Sequence, residues 1–235
     1  MEIRLWWIGE QDADHDLMQL VSAHLARQFG AIVQNGVPAL RPANTYDERR
    51  KQHSSRAVLE WVLAQRPDEA DRVLALTDVD LFMPVLTFVF GEAQLGGAAA
   101  VVSTARLRDQ MTAKAPKVLT ARVLKECVHE LGHTFGLVHC DSPECAMARS
   151  GNTAAVDAKR LTLCPECEGK YRIQAVPAVP VVPPVPRVRV PDVPRVRLPD
   201  VPREHEPADA QDQNRLTQHG RNRNERNQNA EPEER

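Results

Sequence analysis

The chain has 235 residues, a formal net charge of −2 at pH 7 and a hydrophobic fraction of 42%. The near-neutral charge gives no general reason to expect nucleic acid or an anionic membrane as a partner, and no apolar run is long enough to span a bilayer. All ten aromatic residues lie at or before Tyr171, and all five cysteines lie between Cys127 and Cys167. We therefore expect one folded domain over residues 1–173, and residues 174–235 as an appendage without a core of its own.

The chain begins with an apolar run that carries charges of both signs. The stretch from Ile3 to Ile8 is typical of a buried parallel strand, and it lacks the pattern of a secretion signal. Without export, cysteines are expected to remain thiolates or metal ligands. We therefore predict a cytoplasmic protein.

Strands and helices are predicted to alternate through the first half of the chain. Predicted strands lie at residues 3–8, 31–34, 73–77 and 98–103, with an exposed edge strand at 87–93. Predicted helices lie at residues 12–29, ending at Gly30, and at 55–65. This alternation indicates βαβ units, so the fold class is predicted as α/β with a mostly parallel sheet and an antiparallel strand at its edge.

Asp78 and Asp80 follow the predicted strand at 73–77 directly. Two aspartates at this spacing can begin a cation site, but they more often make a turn or cap the next element. We predict the turn.

Residues 127–140, CVHELGHTFGLVHC, carry the strongest functional signal. They lie on and after a predicted helix that begins near residue 118 or 120, and residues four apart on a helix share a face. His129 and His133 can therefore direct two imidazoles at one metal ion. Gly136 stands where the chain must turn, and the turn can bring back His139 as a third ligand. Three protein ligands leave the fourth tetrahedral position of zinc to water, as in a catalytic site.

The other residues of this helix are assigned to catalysis, to the core or to the exposed side of the helix. Glu130 lies one step round from the histidines, within reach of a metal-bound water, and is predicted to be the general base. Cys127 is interpreted as a small core residue, although a metal-reactive thiol is the alternative. Lys125 and Glu126 are predicted to face solvent or a neighbouring loop.

Four of the five cysteines form a second constellation. Cys140 and Cys145 supply one pair of thiols, and Cys164 and Cys167 supply another with Cys-x-x-Cys spacing. Two such pairs complete a four-cysteine zinc site with no position left for water, so the site is predicted to be structural. The alternatives are disulfides, or Cys164 and Cys167 as a redox pair. With both sites filled, the chain would hold two zinc ions, one catalytic and one structural.

These residues together resemble the signature of the archaemetzincins, a family of zinc metallopeptidases. The resemblance covers about residues 1–173, and its motif residues are His129, Glu130, His133, Gly136, His139, Cys140, Cys145, Met147, Cys164 and Cys167. It implies a metzincin-like domain, with a twisted sheet above and the active-site helix beneath. It also implies that Met147 lies in a tight turn below the catalytic metal, and that the edge strand at 87–93 pairs with an extended peptide substrate.

Residues after 175 are rich in proline and polar side chains. An eight-residue pattern at 186–193 recurs at 194–201, which favours polyproline II, and residues 204–235 are predicted to be disordered. Pro-x-x-Pro spacing resembles ligands of aromatic-grooved docking proteins, but we interpret the segment as a plain spacer.

The sequence therefore predicts a zinc-dependent peptidase that acts on peptides as a monomer. The alternative is a zinc-stabilised peptide-binding or scaffold protein with little catalysis. The intact Glu130 favours the enzyme, because a scaffold has no need of a general base.

Overall fold

The computed structural model describes residues 1–38 and 40–175. Its strands are β1 (Glu2–Trp7), β2 (Ile32–Gly36), β3 (Tyr46–Asp47), β4 (Gln52–Ser54), β5 (Arg72–Thr77), β6 (Leu81–Phe82), β7 (Gly91–Ala93) and β8 (Ala99–Ser103). Its helices are α1 (His15–Phe29), α2 (Ser55–Ala64), α3 (Gln110–Lys114), α4 (Pro116–Thr134), α5 (Thr153–Ala158) and α6 (Pro165–Ala175). The predicted proline-rich repeat and disorder lie outside the described residues.

Five strands form the main sheet in the order β2-β1-β5-β8-β7. The first four are parallel, and β7 runs antiparallel to β8 at the edge. Strands β3, β4 and β6 form a small second sheet. The predicted α/β fold, with a mostly parallel sheet and an antiparallel edge strand, is thereby confirmed.

Helices cover the main sheet on both faces, and successive residues of a strand contact opposite sides. Along β5, Leu74 and Leu76 join one hydrophobic cluster with residues of α1 and α4, while Val73 and Ala75 join another with residues of α2. All four side chains are fully buried. Burial on both faces explains why the strand reads as a continuous apolar run.

Helix α1 begins three residues later than its apolar spacing predicts. The side chain of Asp14 accepts a hydrogen bond from the backbone N–H of Leu17 and so caps the helix at its start. Gly30 ends the helix in the left-handed conformation, with φ of 58°. The helix end therefore lies where the glycine predicts it.

The edge strand is shorter than the sequence predicts. Residues 91–93 of the predicted span form the ladder with β8, and the Phe90 carbonyl accepts one further bond from the Ser103 N–H of β8. Val89 instead forms an isolated antiparallel bridge with Leu81 of the small sheet. The Val89 N–H donates to the Leu81 carbonyl at 2.9 Å, an ordinary length for a backbone hydrogen bond. The segment before Gly91 is therefore divided between two sheets. Within residues 1–38 and 40–175, no helix has both the length and the apolar character needed to cross a membrane.

Candidate active site

Helix α4 presents the first two histidines of the motif to the same side. The helix starts with Pro116 in its first turn and ends at Thr134, and Gly136 follows with φ of +82°. Such a positive φ is strained for residues with a side chain, so the predicted turn depends on this glycine. The turn returns the chain, and His139 joins His129 and His133 with ligating atoms all within 4.8 Å of one another.

Hydrogen bonds to backbone carbonyls set the orientation of two of the imidazoles. The Nδ1 atom of His129 lies 2.8 Å from the carbonyl oxygen of Ala146, and Nδ1 of His133 lies 2.7 Å from that of Leu137. Because a carbonyl only accepts, both Nδ1 atoms carry the proton and both Nε2 atoms keep a free lone pair. These are the second contacts that orient metal-ligating histidines in other proteins.

The distance between the first two histidine nitrogens fits a shared zinc ion. The Nε2 atoms of His129 and His133 are 3.2 Å apart, with no proton between them to relieve the repulsion of their lone pairs. Zinc–nitrogen bonds of about 2.0–2.1 Å in a tetrahedron place two ligand nitrogens about 3.3–3.4 Å apart. A shared cation removes the repulsion, so this donor set suits zinc.

Burial keeps the three imidazoles in the form that binds metal. The pKa of His129 is lowered well below its ordinary value by burial, and by the positive charge of Lys159 and the neighbouring His133. The pKa of His133 is lowered by burial, and that of His139 falls to about 4, chiefly through burial. Neutral imidazoles do not compete with a metal for their lone pairs.

Glu130 is buried between the helix and the edge strand, and it lines the same cavity as His129 and His139. A β-carbon placed on Gly91 of β7 would lie 2.6 Å from Cγ of Glu130 and 2.8 Å from its Oε1. Burial raises the pKa of Glu130 well above its ordinary value, and the nearby carboxylates of Glu126 and Glu92 raise it further. A carboxyl group with this pKa is a stronger base than one in water.

The cavity at the histidines has a volume of about 370 Å³. One wall is the backbone and side chains of residues 86–91, another is formed by His129, Glu130 and His139, and a third by residues 149–151. Strand β7 lies at the end of the sheet order, so no described strand pairs with its outer edge. The cavity is therefore a cleft between an unpaired strand edge and the histidine cluster.

Met147 packs against the last turn of the histidine helix, at Gly132. It is fully buried, and a β-carbon on Gly132 would lie 2.5 Å from its sulfur atom. The methionine therefore lies directly against α4 between the levels of His129 and His133. Gly132 stands at a position of the motif where any residue is permitted. The close contact shows that glycine allows the sulfur of Met147 to approach the helix, where a β-carbon would collide with it.

The four cysteine sulfurs converge beside the histidine cluster. The sulfurs of Cys140, Cys145, Cys164 and Cys167 all lie within 4.8 Å of one another. The contact between Cys140 and Cys164 is 3.8 Å, far longer than a disulfide bond of about 2.05 Å. Zinc–sulfur bonds of about 2.3 Å in a tetrahedron place the sulfurs about 3.8 Å apart. The donor set fits a zinc ion, and all five cysteines are free thiols.

This cluster joins the loop after His139 to helix α6. Cys164 precedes the helix and Cys167 lies in its first turn, while the backbone N–H groups of Met147 and Cys164 both lie 3.4 Å from the sulfur of Cys145. Farther along α6, the Tyr171 hydroxyl donates to the carbonyl of Phe29 at 2.6 Å, and its ring packs on Phe135. The cluster and the tyrosine together hold α6 against α1 and α4.

Lys125 and Glu126 do not face solvent, contrary to that part of the sequence prediction. Glu126 is 2% exposed and accepts a hydrogen bond of 2.9 Å from the ammonium group of Lys159, which is also buried. Lys125 donates to the carbonyls of Val156 and Asp157 at the end of α5. The helix is covered on this face by α5 and the residues after it, and Lys159 is a buried residue that the sequence analysis missed.

Cys127 is a core residue, as interpreted from its position on the helix. Its side chain is fully buried, and burial raises the pKa of its thiol well above the ordinary value. Asp78 and Asp80 lie in a bend between β5 and β6, and their carboxylates bind distant residues and do not cap the next element. Asp78 accepts from the backbone N–H groups of Glu10 and Gln11, and Asp80 pairs with Arg106.

Comparison with known proteins agrees with this geometry. The family model described as peptidase family M54 matches residues 39–172. The archaemetzincin of Methanopyrus kandleri is 41% identical over 144 residues, which are 61% of this chain and 79% of that protein. The chain belongs to the archaemetzincin family. The predicted resemblance is confirmed.

Solved archaemetzincin structures share the fold. The crystal structure of the Methanopyrus kandleri protein aligns with a TM-score of 0.67 at 36% identity, covering 74% of this chain and 95% of that one. A zinc-dependent peptidase of Methanocorpusculum labreanum aligns with a TM-score of 0.64 at 29% identity, covering 72% and 99%. Membership of this family makes the chain a zinc metallopeptidase, as the sequence predicts.

Proposed function

We propose that the chain hydrolyses peptide bonds with Glu130 as the general base, at a zinc ion that His129, His133 and His139 hold. The observation that carries the proposal is the meeting of three neutral imidazoles and one buried carboxyl group in a single cleft. Zinc, when bound, supplies a Lewis acid that polarises the scissile carbonyl and makes water more acidic.

Glu130 would carry the proton in both directions. Its carboxylate takes a proton from the attacking water, and the resulting carboxylic acid donates that proton to the nitrogen of the leaving amine. A raised pKa suits this exchange, because the group must be a good base in the first step and a competent acid in the second. The backbone of Gly91 in β7 packs against the Glu130 side chain and would hold the carboxyl group in place.

The substrate would bind as an extended peptide along the edge of β7. The outer side of this strand is unpaired within the part of the chain that the structure describes, and residues 86–91 line the cleft. Strand addition would use backbone hydrogen bonds, which accept many side-chain sequences. The Pro-rich segment has no part in this proposal.

The four-cysteine site would hold a second, structural zinc, so the proposal includes two zinc ions per chain. The packing of Met147 against α4 at Gly132 supports an extension of the proposal to the metzincin clan. The peptidase domain would occupy residues 1–173.

Turnover at matched zinc content tests the catalytic assignment. Wild type and Glu130→Gln are each incubated with a mixed synthetic peptide library, and products are identified by mass spectrometry. We expect Glu130→Gln to retain zinc and to lose about 10²- to 10⁴-fold in rate, the usual contribution of a general base. Glu60→Gln, on the exposed face of α2, is the control and should behave as wild type.

Equal background rates in wild type and Glu130→Gln would reject the peptidase mechanism. That outcome would instead favour the zinc-stabilised binding protein.

A further inference from the structure

Arg149 lies in the wall of the active-site cleft, two residues after Met147. It lines the cavity together with His139 and Glu130, and its side chain is exposed. The guanidinium group is therefore close to the place where a peptide would be cleaved.

The other cations near the cleft have partners, whereas Arg149 has none among residues 1–38 and 40–175. Arg50 donates to the carbonyls of residues 84 and 86, Arg106 pairs with Asp80, and Lys159 pairs with Glu126. A guanidinium group offers five N–H donors in a planar fork, which matches a carboxylate with two parallel hydrogen bonds. Arg149 is thus an open site for an anionic group.

The neighbouring Ser150 supports a ligand at this wall. Its hydroxyl oxygen is buried and has no hydrogen-bond partner within the described part of the chain, although Ser150 also lines the cleft. A buried hydroxyl without a partner is costly, and a bound group that exchanges a hydrogen bond with it removes that cost. Arg149 and Ser150 together offer a charged donor and a hydroxyl group to the same ligand.

We propose that Arg149 binds a carboxylate of the substrate and makes the chain selective for peptides that carry a negative charge close to the scissile bond. The proposal rests on the peptidase function proposed above. Without such a cation, the carboxyl groups of Glu126 and Glu130 in the cleft would disfavour an acidic substrate. The carboxylate can belong to an aspartate or glutamate side chain, or to the C-terminus of a short peptide.

Matched peptide libraries test the proposal and separate the two sources. One pair of libraries differs only in Asp and Glu against Asn and Gln, with all C-termini amidated. The other pair contains no acidic residue and differs only in free against amidated C-termini. In at least one pair, the full-length, zinc-loaded chain should cleave the carboxylate-bearing library with a kcat/KM about 10- to 100-fold higher than that for its amide counterpart. This factor corresponds to the value of a charge-assisted hydrogen bond.

Variants assign the selectivity to the guanidinium group. Arg149→Gln should lose the preference mainly through a higher KM with kcat little changed, because the contact is present in the bound substrate and the transition state alike. Arg149→Lys should restore part of it, since a lysine keeps the charge but not the fork. Arg56→Gln, on the exposed face of α2, is the control and should keep the full preference.

Three outcomes overturn the proposal. In the first, wild type cleaves both members of each pair equally. In the second, Arg149→Gln slows both members by the same factor. In the third, Arg56→Gln loses as much selectivity as Arg149→Gln. Cleavage by wild type but not by Glu130→Gln, without selectivity, rejects only the role of Arg149.

Binding provides a readout that does not depend on turnover. Fluorescent members of the same library pairs are titrated into Glu130→Gln and into the double variant Glu130→Gln/Arg149→Gln. The single variant should bind the carboxylate-bearing peptide about tenfold or more tightly than its amide counterpart, and the double variant should bind both alike. Equal affinities in the single variant overturn the proposal, even if no peptide is cleaved.

Discussion

Gly91 of β7 and Glu130 of α4 lie so close together that no side chain can stand between them. A β-carbon on Gly91 would be 2.6 Å from Cγ of Glu130 and 2.5 Å from the carbonyl oxygen of Val101. Contacting carbon atoms prefer about 3.5–4.0 Å, so the side chain of Glu130 packs directly on the backbone of β7 at this point. The edge of the sheet therefore sets the position of the proposed base.

Replacing Gly91 with alanine should impair catalysis without removing the metal. The added methyl group displaces either Glu130 or the pairing of β7 with β8, and a misplacement of about 1 Å can cost about 100-fold in rate. We expect kcat to fall by about that factor while zinc content, measured by elemental analysis, is unchanged.

The matched control is Gly151→Ala. Gly151 lines the same cleft, but a β-carbon there meets nothing within 4 Å. Its kcat should stay close to that of wild type. A Gly91→Ala variant as active as Gly151→Ala would show that the close contact does not position Glu130.

Removing the partner of a buried charge should destabilise the fold. Lys159→Met leaves Glu126 buried without its cation, and breaking such a pair costs about 3–5 kcal/mol. The double variant Glu126→Gln/Lys159→Met leaves no unpaired charge and should be more stable than the single variant. Urea unfolding of the zinc-loaded protein measures both changes.

An exposed ion pair provides the comparison. Arg160 pairs with Glu144 at the surface, so Arg160→Met should cost at most about 1 kcal/mol. Equal effects of Lys159→Met and Arg160→Met on the free energy of unfolding would contradict the prediction, because the buried pair would then stabilise the fold no more than the exposed pair does.

Loss of one cysteine ligand should remove one zinc ion. Cys145→Ser weakens the four-sulfur site, so the zinc content of the purified protein should fall from two ions per chain to about one. Thiol titration should then detect the three remaining cluster cysteines. Cys127→Ala, in the core of the same domain, should retain two ions. Unchanged zinc content in Cys145→Ser would reject the structural site.

The metal-free protein should lose stability in acid partly through His139. Its pKa is about 4 in the folded chain, chiefly because of burial, against an ordinary value of 6.5. Between these values the unfolded chain binds the proton and the folded chain does not, so stability falls as the pH drops from 6.5 to 4.

His139→Gln lacks this titration. In chelator, the free energy of unfolding of His139→Gln minus that of wild type should increase as the pH is lowered across that window, because only wild type loses stability through this group. Urea unfolding at several pH values from 7.5 to 4 gives the comparison. A difference that stays constant with pH would contradict the assigned shift.

The placement of the histidine cluster was predictable because it depends on short-range geometry. His129 and His133 are four residues apart on one helix, and Gly136 allows the turn that returns His139. Each step is fixed by the local backbone. The same holds for the apolar strand at Arg72–Thr77, whose sequence already shows burial on both faces.

Features that depend on distant partners were not predictable. Glu126 has the polarity of a surface residue, and only Lys159, 33 residues later, explains its burial. Residues 87–90 alternate as an edge strand would, but Val89 pairs with Leu81 instead of β8. The role of Gly91 depends on how closely the sheet approaches α4, which no local pattern records.

His139 and Cys140 are neighbours in the chain, and each belongs to a different donor cluster. One peptide bond thus links the proposed hydrolytic centre to four oxidisable sulfurs that have no part in its chemistry. Oxidants or thiol-modifying reagents that break up the sulfur cluster would release the backbone on which the third imidazole depends. A peptidase without a nucleophilic cysteine would then be inactivated by the reagents that usually diagnose one.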